Sequence, residues 1–129
     1  AFEMDKVIAF DFDGTVSSYR SGWTGVGDLP DPPVNGIREL FQKLKKAGMV
    51  IVIYSCRARE LAGYKAIVAW LTKWKLIEFV ESVTYSKPIA RCYVDDRAIQ
   101  FRGDPQEMFW KIMNFRSWTE DGNEERNAL

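Results

Sequence analysis

"KVIAFDFDGTV", residues 6–16, decides the fold. From Val7 to Phe10 the stretch is short and apolar, rich in β-branched and aromatic side chains, without the polar alternation of a strand that faces water. It reads as a strand buried on both faces, the pattern of a parallel sheet. The run then ends in two carboxylates two places apart, Asp11 and Asp13, followed at once by Gly14-Thr15. A buried strand that ends in two acids needs a reason.

Downstream, residues 16–34 are rich in Gly, Ser and Pro, with "SGWTGVGDLPDPP" at their centre, and read as a loop or a small hairpin projecting from the body. Structureless connections of that length are usually functional. Ile37, Leu40, Phe41, Leu44 and Ala47 then fall on one helical stripe that Gly48 ends. "MVIVIYS" (49–55) is a second buried strand, and Leu61, Tyr64, Ile67 or Val68, Leu71 and Trp74 mark a second helix. "FVESVTYS" (79–86) mixes a short strand with a turn, Lys87-Pro88 follows, and "ARCYVDD" (90–96) is a further apolar run that also ends in two acids. "DPQEMFWKIMNF" (104–115) opens with an Asp cap and an N-terminal Pro and carries Met108, Phe109, Ile112 and Phe115 as an apolar stripe.

Alternating strands and helices of this length predict a three-layer, Rossmann-like α/β fold: a parallel sheet with helices on both faces and right-handed crossovers. Residues 4–116 form one domain in this reading, and 117–129 a polar, flexible tail. In such sheets ligands sit beyond the carboxyl ends of the strands. The polar punctuation falls there: Asp11 and Asp13, Ser55, and the pair Asp95-Asp96, with Lys87 in the loop before the last of these strands.

Composition bounds the chemistry. The chain has 129 residues and 18 basic against 18 acidic side chains, which suits a single packed domain and disfavours a large basic surface for long nucleic acids. No apolar run is long enough to span a membrane and no secretory pattern is visible, so a cytoplasmic location and no membrane partner are expected. Ala1-Phe2-Glu3 read as a remnant ahead of a native start at Met4. Two cysteines, Cys56 and Cys92, make no disulfide framework, and Cys56 reads as a small buried residue. With no histidine, Ser-His-Asp and Cys-His catalysis and most zinc sites are excluded. Carboxylates, lysine, hydroxyls and a hard metal ion remain.

Carboxylates gathered at one sheet edge repel one another and force protonation unless a cation sits among them. Mg²⁺ suits an all-oxygen set and is commonly completed by waters and a substrate phosphate. The ordered series "DFDGTV", Ser55 at a strand end, Lys87-Pro and "YVDD" resembles the four motifs of the haloacid dehalogenase superfamily, over residues 7–96. "SGWTG", "PDPPVNGI" and "YVDDRAIQFRGD" further resemble a group of small phage and bacterial members that have no cap domain. Neither usual insertion point holds a cap here, only the flap at 16–34, and an open site accepts large or exposed phosphates.

The resemblance implies a Mg²⁺-dependent phosphomonoesterase. Asp11 is then the nucleophile, forming an aspartyl-phosphate. Asp13 is the acid that protonates the leaving oxygen and the base that later activates water. Ser55 hydrogen-bonds the transferring phosphoryl group, and Lys87 pairs with its oxygens or with Asp11. Asp11, the main-chain carbonyl of Asp13, and one of Asp95 or Asp96 bind the metal. Gly14 lets the chain turn beside the phosphate. Arg57 and Arg97 are placed to grip a further anionic group of the substrate. Trp23 either stacks a base, covers the phosphate or pins the flap. Expected substrates are a phosphorylated small molecule, a nucleotide or a nucleic-acid end.

Taken singly, each residue has a plainer reading. Asp-Gly is a common turn, Ser55 can cap a helix, Lys87 can be a surface lysine, and Arg57 and Arg97 can be structural ion-pair partners. The ordered quartet outweighs these. Phosphoryl transfer to an acceptor other than water, or a catalytically silent phosphate-binding module, are the alternative functions; dehalogenase chemistry leaves the second Asp unexplained.

Overall fold

A computed structural model describes residues 3–121. Four parallel strands form one sheet: β1 (Val7–Phe10), β2 (Val50–Tyr54), β3 (Val80–Thr84) and β4 (Cys92–Val94), in the order β3-β2-β1-β4. Helices α1 (Ile37–Lys46) and α2 (Leu61–Lys73) make the β1–β2 and β2–β3 crossovers. α3 (Pro105–Met113) and the short α4 (Trp118–Asp121) follow β4. The expected α/β class and parallel sheet are present. No helix among the described residues is long and apolar enough to cross a membrane.

β1 lies at the centre because all four of its residues are buried and can pair on both sides, with β2 and with β4. Alternation then sorts the side chains. Ile8 and Phe10 of β1, with Ile51 and Ile53 of β2, face one side and meet Ile37 and Phe41 of α1 and Ile67, Trp70 and Leu71 of α2. Two edge-to-face ring pairs lock this side, Phe10–Phe41 and Phe12–Trp70, with centroids 5.0 and 4.9 Å apart.

The opposite face differs from expectation. Val7, Val50 and Val52 form a small cluster there with Ala90, and no residue of α3 belongs to either buried cluster. Phe109, Trp110, Ile112 and Met113 of α3 are each more than half exposed. The packed core of the described residues is therefore one sheet face under two helices, not helices on both faces. β4 likewise is an exposed edge strand despite its apolar composition.

Residues 16–34 contain no helix or strand, yet they are tied down. Ser17 bridges Asp13 on one side and Pro33 on the other, and Val34 N–H donates to Val16 O. At the tip, Ser21 donates twice to the Asp31 carboxylate, and Trp70 Nε1 donates to Asp31 O at 2.7 Å. Among the described residues neither this segment nor the β2–β3 connection holds an additional folded unit.

The segment read as a tail begins differently from expectation. Ser117 is buried, and Trp118 Nε1 donates to Gly14 O at 2.6 Å, docking α4 against the turn that follows β1. Residues 122–129 lie outside the described residues.

Candidate active site

The chain runs β1, β2, β3 in one direction and then crosses to the other side of β1 for β4. Strand order thus reverses between β1 and β4, and a crevice opens beyond their carboxyl ends. Asp11 N–H donates to Val94 O at 2.9 Å, which continues the β1–β4 ladder by one residue and sets Asp11 beside Asp95 and Asp96. On the other flank Ser55 N–H donates to Thr84 O, also at 2.9 Å.

A tight turn shapes the rim. The N–H groups of Thr15, Val16 and Ser17 all donate to Phe12 O, while the Phe12 side chain is buried against Trp70. That anchor leaves Asp11 and Asp13, on either side of Phe12, lining one cavity. Gly14 takes φ +79°, and a Cβ added there would collide with the Asp96 carboxylate. Gly14 is therefore needed for the close approach of Asp96 as well as for the turn.

Asp11, Asp95 and Asp96 each present an oxygen within 4.8 Å of the others. Burial, a hydrogen bond with the Asp96 carboxyl and repulsion from Asp95 push the Asp11 carboxyl up to about 8. Asp96 is also raised, chiefly by burial. Asp95 is held in place at both oxygens, Oδ1 by Arg97 N–H (2.8 Å) and Oδ2 by the Tyr54 hydroxyl (2.9 Å). Such a set, all oxygen and short of positive charge, has the donor chemistry of a Mg²⁺ site.

The chain matches no family model, no curated protein and no solved structure. Its site has to be read from its own geometry.

The Asp13 side chain stands outside the three-carboxylate cluster. Its Oδ2 accepts from Arg57 Nε at 2.8 Å, and its Oδ1 is buried without a partner. Arg57 is only 1% exposed; its Nη1 donates to Gly25 O and Val26 O, and its guanidinium lies on the Trp23 ring. Arg57 was expected to grip substrate, but it is buried and does not line the cavity. It is a structural cation that joins Asp13 to the flap.

Ser55 lines the cavity, and its Oγ accepts from Arg57 N–H at 3.2 Å, capping the 3-10 turn Cys56–Arg59. Lys87 lines the same cavity with its Nζ 4.2 Å from the Tyr93 ring centroid, and makes no ion pair with Asp11 among the described residues. Arg97 is exposed on the rim, 3.8 Å from Glu120. Trp23 also lines the cavity, and Cys56, read as buried, is exposed beside it. All the sequence-singled positions except Gly14 and Arg57 border this space of about 600 Å³.

Tyr19, Tyr54, Tyr85, Thr119 and Trp118 contribute to the site without being singled out by the sequence reading. Tyr54 was counted as an ordinary strand residue, though its place at the carboxyl end of β2 put a hydroxyl within reach of Asp95. Thr119 lines the cavity and Trp118 braces Gly14. A tryptophan within an otherwise polar tail was the available signal for that docking.

Proposed function

We propose that this protein is a Mg²⁺-dependent phosphomonoesterase that works through an aspartyl-phosphate. The observation that carries the reading is the convergence of Asp11, Asp95 and Asp96 at the strand-order reversal, with Ser55 and Lys87 on the same cavity. The resemblance of the ordered motifs to the haloacid dehalogenase superfamily supports it. A divalent ion held by these three carboxylates would offset the burial and repulsion that raise Asp11 and would draw charge from a bound phosphate.

The chain's own residues supply the rest. A carboxylate oxygen of Asp11 attacks phosphorus, and the bond from phosphorus to the ester oxygen breaks. Asp13 gives its proton to that departing oxygen, so the alcohol leaves neutral. Asp13, now ionised, takes a proton from water as the water oxygen attacks phosphorus, the Asp11–phosphorus bond breaks, and inorganic phosphate departs. Arg57 engages Oδ2 of Asp13 and holds that side chain at the cavity wall. Lys87 and Ser55 border the space where negative charge develops on the phosphoryl oxygens.

Phosphate release from mononucleotides, 3'- and 5'-phosphorylated oligonucleotides, sugar phosphates and an activated aryl phosphate, with Mg²⁺ or with EDTA, tests the reading. Metal-dependent release should disappear in Asp11→Asn and fall by about 10²–10⁴ in Asp13→Asn. Folded, Mg²⁺-loaded wild type that releases phosphate from none of these esters would reject it in favour of a silent binding module.

A further inference from the structure

Trp23 sits at the mouth of the cavity, 57% exposed, in a segment whose backbone is pinned from several sides. One face of its indole carries the Arg57 guanidinium, with Cζ 4.3 Å from the ring centroid. That cation is buried and fixed by Asp13, Gly25 O and Val26 O, so it backs the ring like a wall. Among the described residues no other ring or cation packs on Trp23. The indole is thus a flat, pre-positioned surface on the cavity wall, backed on one face by a fixed cation.

Its distance from the chemistry is bounded. Arg57 Nε is 2.8 Å from Asp13 Oδ2, so one guanidinium bond length further on, the ring centroid lies within about 9 Å of that carboxylate. Asp13 is the group that meets the leaving oxygen in the proposed reaction. In a nucleotide the base is joined to the ester oxygen through about five covalent bonds of ~1.5 Å, a reach of about 5–6 Å when bent. A second exposed ring, Tyr85, also lines the cavity. A sugar phosphate carries no π-system to stack on the indole. A phosphorylated phenol holds its ring directly on the leaving oxygen, whereas a nucleotide sets its base several bonds further out, toward Trp23.

We infer that the site selects phosphate esters of nucleosides, with Trp23 as the stacking platform for the base and Arg57 as the positioning residue that holds the platform. The inference rests on the phosphomonoesterase reading and names its substrate class. Stacking is indifferent to base identity, so purine and pyrimidine nucleotides should both be taken, purines better.

The test compares wild type, Trp23→Ala and Trp23→Phe on adenosine monophosphate, a 3'-phosphorylated tetranucleotide, glycerol phosphate and phosphotyrosine. The ratio of kcat/KM for the nucleotide over glycerol phosphate should drop about tenfold or more in Trp23→Ala, mainly through KM, and return with Trp23→Phe. Whichever of the mononucleotide and the tetranucleotide is preferred, a Trp23-dependent preference supports the platform and tells a free nucleotide from a strand end. An unchanged ratio in Trp23→Ala, or a preference for phosphotyrosine, overturns the inference while leaving the phosphatase intact. Absence of Asp11-dependent release from every ester instead removes the catalytic reading. In that event tryptophan quenching by adenosine monophosphate decides: quenching lost in Trp23→Ala supports the platform, and no quenching in wild type overturns it.

Discussion

Arg57 is as deeply buried as the apolar core, and its charge survives there because it is fully engaged. One carboxylate, two flap carbonyls and the face of an indole surround it. Removing one partner of a buried pair leaves the other charge uncompensated, which costs more than the pair itself contributes. Arg57→Met should therefore lower stability by about 3 kcal/mol, near the bottom of the range for buried pairs because Asp13 keeps some access to water. Urea denaturation reads this directly; a loss under ~0.5 kcal/mol, the level of a surface pair, would show that the guanidinium is not integral to the fold. The sequence placed Arg57 near the site but not its direction. "SCRARE" is equally compatible with a side chain turned to solvent, to substrate or inward, and only the neighbouring flap carbonyls decide which.

At the scale of elements, two helices show opposite failures of pattern reading. Gly63 lies inside α2, where alanine ordinarily strengthens a helix by up to about 1 kcal/mol. Here a Cβ would collide with the main-chain carbonyl of Arg57, and with the Val26 side chain close by. Gly63→Ala should thus reverse the usual sign and destabilise by about 1–3 kcal/mol, through displacement of the 3-10 turn that carries Arg57. A thermal melt equal to or above wild type would contradict this. α3 errs the other way: its apolar stripe reads as a packing face, yet Phe109 and Ile112 of that stripe are more than half exposed, and Trp110 beside them is 68% exposed. Trp110→Gln should change folding stability by no more than about 0.5 kcal/mol, measured by the same denaturation. A larger loss would mean that this helix packs against the body in solution.

The whole molecule concentrates like charges at one sheet edge, and its stability should report that. Asp11 is pushed from an ordinary 3.8 up to about 8. Between those pH values the folded, metal-free protein holds a proton that the unfolded chain has released, so its stability falls as pH rises through the window. Bound Mg²⁺ supplies the missing positive charge without a proton. The stabilisation by Mg²⁺ should then grow between about pH 5 and pH 8, and Asp11→Asn should flatten the metal-free dependence. Melting temperatures in EDTA that stay level across this range would sink the argument.

Local pattern was enough for the strands and their order of kind: Val7–Phe10 and Val50–Tyr54 are continuous apolar runs that only a sheet interior accommodates. It was enough also to place Asp11, Ser55 and Asp95-Asp96 at strand ends, because polar residues that interrupt such runs mark where the strand leaves the core. Tertiary structure alone decided which strand ends are neighbours. The order β3-β2-β1-β4 sets Asp11 against Asp95 and Asp96, although more than eighty residues separate them in the chain. It also decided that Asp13 turns from that cluster to Arg57, that Trp118 returns to brace Gly14, and that α3 leaves one sheet face thinly covered. The physical reason is common to all of these. Periodicity records how much of a residue is to be buried, whereas the partner that buries it depends on distances between segments that no local pattern carries.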